Sequence, residues 1–159
     1  MKLRNYKISD AKRLFDILSN DTEIPFWCGF RQHKTISDTL LYIINLRNEK
    51  YWYAIVDDND QVIGSISLVN KDDGMELGYW ISKEYRGQHI VSNFAKKLIE
   101  FAFEKLNIET IYCGYFEGND SSKLLQEKIG FKEYDIIDVP FATGKEHLTK
   151  IYRKQYATN

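Results

Sequence analysis

Apolar positions repeat along this chain in two rhythms, and the clearest helical one lies at residues 90–106. Val91, Phe94, Ala95, Leu98, Ile99, Ala102 and Leu106 recur there at helical spacing, while Lys96, Lys97, Glu100 and Glu104 fall mostly elsewhere. That pattern predicts an amphipathic helix. Residues 110–115 then read as a strand, and a long intervening helix returns it parallel to the strand before, by a right-handed crossover. Upstream, residues 51–56 and 61–69 are β-rich runs on either side of Asp57-Asp58-Asn59-Asp60, a strong hairpin signal. Asp72-Asp73-Gly74 marks the next turn and 75–81 the next strand. Antiparallel pairing of these three strands is the simplest arrangement.

The N-terminal part reads as a short strand over 2–6, then Ser9 as the cap of a helix running to about Leu18, with Asp10 favourable in its first turn. Leu14, Phe15 and Leu18 supply its buried stripe. Residues 20–34 read as a long connection carrying Pro25, Gly29, Phe26, Trp27 and Phe30, and ordered loops of that length tend to be functional. Thr35, with Asp38 three residues on, caps a second helix whose apolar positions are Leu40, Leu41, Ile44 and Leu46. A short helix over 121–128 ends at Gly130. A hairpin of 134–141 and 146–153, turning at Thr143-Gly144-Lys145, closes the chain. The expected architecture is α/β: a mixed, twisted sheet of about seven strands, with about four helices on its two faces.

With 159 residues, 43% hydrophobic and 28% charged, the chain fits one globular domain over 1–159 with its own core. The net charge of −1 offers no overall field for nucleic acid or an anionic membrane, and Lys96-Lys97 and Arg153-Lys154 read as solvated faces. Cys28 and Cys113 suit a reducing compartment and match no zinc spacing, so no metal is expected. No apolar signal core follows Met1, and no run approaches the roughly 20 residues of a membrane span, so a cytoplasmic location is expected. A nucleotide-binding reading is disfavoured, because neither a Gly-rich dinucleotide fingerprint nor a phosphate-loop Gly-Lys-Ser/Thr motif occurs. Exposed strands offer a route to a homodimer.

The chemistry concentrates between Glu76 and Phe131. Glu76-Leu77-Gly78-Tyr79-Trp80-Ile81 leads into Ser82-Lys83-Glu84-Tyr85-Arg86-Gly87-Gln88-His89 and then the long helix. Such a loop places backbone N–H groups and the positive end of a helix dipole where an anion can sit. A second polar helix start, Asn119-Asp120-Ser121-Ser122, precedes Glu127-Lys128-Ile129-Gly130-Phe131. This order resembles the acetyl-CoA motif of the GCN5-related N-acetyltransferases, and within them the ribosomal-protein N-acetyltransferase branch. The family's loop reads Gln or Arg, two residues, Gly, one residue, then Gly or Ala. Arg86, Gly87 and Gln88 keep the pattern, while His89 stands at the central Gly and Val91 at the last small residue.

The resemblance implies direct transfer of acetyl from acetyl-CoA to an amine. The strand ending at Trp80 and Ile81 would splay from the 110–115 strand and hold the pantetheine arm by main-chain groups. The pyrophosphate would meet N–H groups of Gln88, His89, Ile90 and Val91, aided by Arg86, with Gly87 allowing close backbone approach. Backbone N–H near Ile81 would stabilise the oxyanion. Ser122 matches the position of the acid for the departing thiolate, its alternative being a helix-start cap. Asn119 would hold the pantetheine arm or cap the same helix. Glu76 is the first candidate base, if burial raises its pKa, and a lysine-paired surface glutamate is its bland alternative. Lys128 would reach a phosphate or stand exposed. Tyr112 and Tyr115 offer a phenol acid or strand packing. Trp27, Phe30 and Arg31, with His33, would border the acceptor or seal the core. The acceptor is a protein N-terminus of the ribosomal type, or a small amine such as a polyamine or antibiotic. A catalytically silent acyl-CoA-binding module is the other reading, motivated by His89 and Val91.

Overall fold

Seven strands pair in the order β1-β2-β3-β4-β5-β7-β6, forming one mixed sheet. The computed structural model describes residues 1–156. The strands are β1 (Lys2–Arg4), β2 (Trp52–Val56), β3 (Val62–Lys71), β4 (Gly74–Ile81), β5 (Thr110–Phe116), β6 (Lys132–Asp138) and β7 (Lys145–Tyr152). Six helices are described where about four are expected: α1 (Ala11–Asn20), α2 (Glu23–Cys28), α3 (Ile36–Arg47), α4 (Ile90–Glu104), α5 (Asp120–Ile129) and α6 (Arg153–Tyr156). The additions are α2 and α6. The chain divides into two compact units, Met1–Ser67 with Gly78–Val91, and Leu68–Leu77 with the chain from Ser92.

In the first unit, β1 and β2 pair antiparallel from Lys2↔Val56 to Arg4↔Ala54, and β2 pairs antiparallel with β3. Leu14, Leu18, Ile43, Ala54, Val56, Val62 and Trp80 form its core. The first strand stops at Arg4, where the guanidinium takes Asp10 by two 2.8 Å hydrogen bonds and the Asp60 carboxylate by one of 2.9 Å. Asp10 also accepts from the Lys7 N–H at 2.7 Å, opening a 3-10 turn over Ile8–Asp10. Asp10 therefore takes the organising role expected of Ser9, and α1 begins after it.

Two further corrections have local causes. The long connection contains α2, whose start is capped by Asp21 accepting from the Glu23 and Ile24 N–H groups and whose end is Gly29 at φ 72°. Pro25 lies in the first turn, where no intrahelical N–H is required, so it does not break the helix. In α3, Thr35 and Asp38 form the expected capping box, but the buried residues are Thr39, Ile43 and Leu46. Leu41 and Ile44 are exposed. The face is turned by Thr39, whose hydroxyl lies 2.8 Å from buried His33 Nδ1.

In the second unit, β4 and β5 pair in parallel through Met75↔Ile111 and Glu76↔Tyr112, as the crossover rule requires. Antiparallel pairing joins β5 to β7 from Thr110↔Tyr152 to Phe116↔Glu146, and β6 pairs antiparallel with β7. Side chains alternate across these strands. Glu76, Tyr112, Gly114, Phe116 and Glu146 therefore share one face. Ile111, Cys113, Tyr115, His147 and Thr149 share the other. On α4, Ala95, Leu98, Ile99, Ala102 and Phe103 are buried, and Tyr156 of α6 packs on Phe103 with ring centroids 5.5 Å apart. The closing hairpin ends β6 at Asp138, earlier than expected, because Pro140 cannot donate to a ladder.

Candidate active site

The loop from Ser82 to His89 is set by backbone conformation. The Ser82 N–H bonds Ile63 O at 2.8 Å, and a 3-10 turn over Lys83–Tyr85 follows. Gly87 then takes φ 73° and His89 φ 59°, both left-handed. A Cβ on Gly87 would meet nothing within 4 Å, so conformation rather than space calls for glycine there. His89 occupies the left-handed region at the position where the resembling motif carries glycine. Histidine enters that region more readily than bulky or β-branched residues.

Arg86 is held from three sides. Its guanidinium donates to Glu23 Oε2 at 2.6 Å, Asp21 Oδ2 at 2.7 Å and Ile81 O at 3.3 Å. Its charge is thus spent on the start of α2, tying the loop to that helix. A cavity of about 400 Å³ lies here, lined by residues that include Arg13, Asp16, Asp21, Ser82, Lys83 and Arg86. Gln88 Nε2 donates to Glu84 O at 3.1 Å, while Ile90 and Val91 are buried. Trp80 belongs to the core of this unit, and Ile81 is half-buried.

The residues expected to border the acceptor separate by environment. Phe30 packs against that core, its ring centroid 6.0 Å from Tyr42 and 6.1 Å from His33. Trp27 is half-buried, edge-on to Phe26 at 4.8 Å, and Arg31 is exposed. Burial pushes the His33 imidazole below its ordinary pKa, partly offset by the Asp38 charge.

In the second unit, Asn119 caps α5 by accepting from the Ser122 N–H at 3.3 Å. Ser122 is 9% exposed, and its Oγ accepts from Gln126 Nε2 at 3.1 Å. Gln126 also donates to Gly114 O at 2.9 Å and accepts from Thr149 Oγ1 at 2.7 Å. Because Gln126 donates to this Oγ, the hydroxyl proton is directed away from Gln126. Neither Gln126 nor Thr149 stands out in the sequence; the one available signal is the i,i+4 spacing of Ser122 and Gln126.

Glu76 is half-exposed and bonds Lys71 at 2.8 Å, which is the environment of a paired surface carboxylate. The Tyr112 hydroxyl donates to Asp73 at 2.8 Å, and that bond, aided by burial, pushes its pKa up to about 12. Tyr115 stacks on His147 at 4.9 Å, its hydroxyl 3.5 Å from Glu133, and burial foremost raises its pKa. His147 also contacts Glu133 through Nδ1. Lys128 is exposed in the last turn of α5. Among the described residues no group of three His, Cys, Asp or Glu is arranged to hold a metal ion, and no helix is long and apolar enough to cross a membrane.

Comparison with known proteins identifies the family and the fold. Residues 1–132 match a family model described as Acetyltransferase (GNAT) domain. A Bacillus subtilis protein named "Putative ribosomal N-acetyltransferase YdaF" is 31% identical over 142 residues, covering 82% of this chain and 77% of the relative. The ribosomal-protein-S5-alanine acetyltransferase of Vibrio fischeri shares the fold at a TM-score of 0.77 and 22% identity, covering 97% of this chain and 93% of that one. The spermidine N-acetyltransferase of Vibrio cholerae, solved with CoA and spermine, has a TM-score of 0.81 at 19% identity, covering 98% and 97% of the two chains.

Proposed function

Since this chain belongs to the GNAT acetyltransferase family and is an acetyl-CoA-dependent N-acetyltransferase, we propose that its acceptor is a protein N-terminal α-amine of the ribosomal type. The observation that carries the acceptor is the 31% identity to the relative named for ribosomal N-acetylation. A second reading, a small cationic amine, draws support from the shared fold with the spermidine enzyme and from two carboxylates, Glu76 and Glu146, on one sheet face. Fold alone does not select an acceptor.

In this reading residues 1–159 act as one catalytic domain in the cytoplasm. The cofactor pyrophosphate sits on the N–H groups of Gln88, His89, Ile90 and Val91, where left-handed Gly87 and His89 shape the backbone. Arg86 sets the loop through Asp21 and Glu23, and its remaining N–H donors are available to a phosphate oxygen. Lys128, exposed in the last turn of α5, adds a positive charge for phosphate. Trp80 and Ile81 carry the strand that hydrogen-bonds the pantetheine arm, and the Ile81 N–H meets the oxyanion. The amine nitrogen attacks the thioester carbon, the C–S bond breaks, and Ser122 gives its proton to the thiolate, directly or through water. Asn119 keeps the start of α5, and so Ser122, in place. Trp27, Phe30 and Arg31 flank the acceptor, with Arg31 the exposed member. Edge strands offer a homodimer contact.

Thiol release from acetyl-CoA, measured against a panel of ribosomal-protein N-terminal peptides, polyamines and free lysine, tests the acceptor. The first reading expects the highest kcat/KM on a peptide α-amine. Preference for a polyamine would replace it with the second. No thiol release with any amine, combined with a melting-temperature rise on adding acetyl-CoA, would indicate the silent binding module.

A further inference from the structure

Glu146 stands apart from every other carboxylate on the β5–β7 surface. The pairs Phe116↔Glu146 and Glu76↔Tyr112 put it on the face of Glu76, Tyr112 and Gly114. The pair Cys113↔Thr149 puts the Ser122–Gln126–Thr149 network on the opposite face. A Cβ added to Gly114 would lie 2.8 Å from Glu146 Oε1, so the carboxylate fills the space that the missing side chain leaves. Gly114 follows Tyr112 by two residues on β5, just beyond the Met75 and Glu76 parallel pairs.

We propose that Glu146 is the general base that takes the proton from the attacking amine, an inference that rests on the acetyl-transfer reading. Base and acid then work from opposite faces of one sheet. The amine N–H proton passes to the Glu146 carboxylate, directly or through one water, as the new C–N bond forms. The C–S bond breaks and Ser122 protonates the sulfur from the other face. Ser122 regains its proton from solvent, and Glu146 returns its own.

The availability of the carboxylate favours this assignment over Glu76. Glu76 is tied to Lys71, and Glu133 to His147, whereas the Glu146 carboxylate makes no hydrogen bond or ion pair among the described residues. Burial raises the Glu146 pKa first and the Glu76 charge raises it further, against a lowering by Lys71. These are the charged groups facing it from β4 and β3. Phe116 and Gly114 face it from β5, and its cross-strand neighbour on β6 is the uncharged Ile137. A base with a raised pKa is matched to amine deprotonation near neutral pH.

The test is the pH profile of kcat, at saturating acetyl-CoA and the best amine. Wild-type turnover should rise through an acidic limb as Glu146 deprotonates. Glu146→Gln should lose that limb and about 10²- to 10⁴-fold in kcat, with the acetyl-CoA-induced rise in melting temperature retained. Glu146→Asp should keep the limb at a reduced rate, which a purely structural role would not require. Removing the neighbouring negative charge in Glu76→Gln should move the limb to lower pH, and Lys71→Met should move it to higher pH. Gly114→Ala, which displaces the carboxylate, should lower kcat without weakening acetyl-CoA binding. An intact limb in Glu146→Gln, or its abolition in Glu76→Gln, would overturn the proposal while leaving acetyl transfer standing. A wild type that releases no thiol with any amine would overturn both.

Discussion

The two polar helix starts of this chain differ in the features that shape them. Both α4 and α5 begin with N–H groups that have no intrahelical acceptor. The approach to α4 is shaped by backbone conformation, with Gly87 and His89 at positive φ. At α5 a side chain does the work, Asn119 accepting from the Ser122 N–H, and the Ser122 hydroxyl is wired into Gln126 and, through it, Thr149. A backbone-built approach suits an anion that must come and go. A side-chain-built one suits holding a single hydroxyl in a fixed orientation. The difference suggests a division of labour in which the first grips the cofactor and the second handles a proton.

The largest expected effect is at Ser122. Ser122→Ala should lower kcat by about 10²- to 10⁴-fold, the usual contribution of a general acid, with acetyl-CoA affinity little changed. A loss well below that range, measured by steady-state thiol release, would mean that water substitutes for the hydroxyl. Next comes the α4 approach. Gly87→Ala creates no clash, so its cost is the left-handed conformation itself, roughly 1–2 kcal/mol for an L-residue. If the loop relaxes when empty and must re-form around phosphate, that cost appears as an acetyl-CoA Kd roughly tenfold weaker by calorimetry. An unchanged Kd would separate the loop from cofactor binding. The smallest effect is on folding: Asn119→Ala should lose about 1 kcal/mol, the usual value of an N-cap. Urea unfolding should show this as a lower midpoint with an unchanged slope.

How far these features were legible in the sequence depended on whether their causes are local. The amphipathic stripe of α4, the Thr35–Asp38 box and the Gly130 stop are short-range, and all appear where the pattern predicts. The left-handed position of His89 was also readable, because the motif has glycine there. Helix α2 was obscured by Pro25, which breaks helices in general but not in a first turn. The face of α3 was read half correctly: Leu46 is buried and Leu40 packs on the core, but Leu41 and Ile44 are exposed while Ile43 and Thr39, which contacts His33, are buried. Gln126 meets Thr149 only through the register of distant strands, and Glu146 meets Gly114 only through the β5–β7 pairing. No spacing along the chain encodes either contact. For Glu76 the sequence left two readings open, and the half-exposed ion pair with Lys71 matches the bland one.

The division of labour is tested most directly by measuring two quantities on two variants side by side. These are acetyl-CoA Kd by titration calorimetry and the single-turnover rate at saturating cofactor, for Gly87→Ala and Ser122→Ala. The account predicts that Gly87→Ala weakens Kd and leaves the saturated rate near wild type, while Ser122→Ala slows the rate and leaves Kd near wild type. If both variants move the same quantity, or each moves the other's, the two helix starts do not divide binding from chemistry.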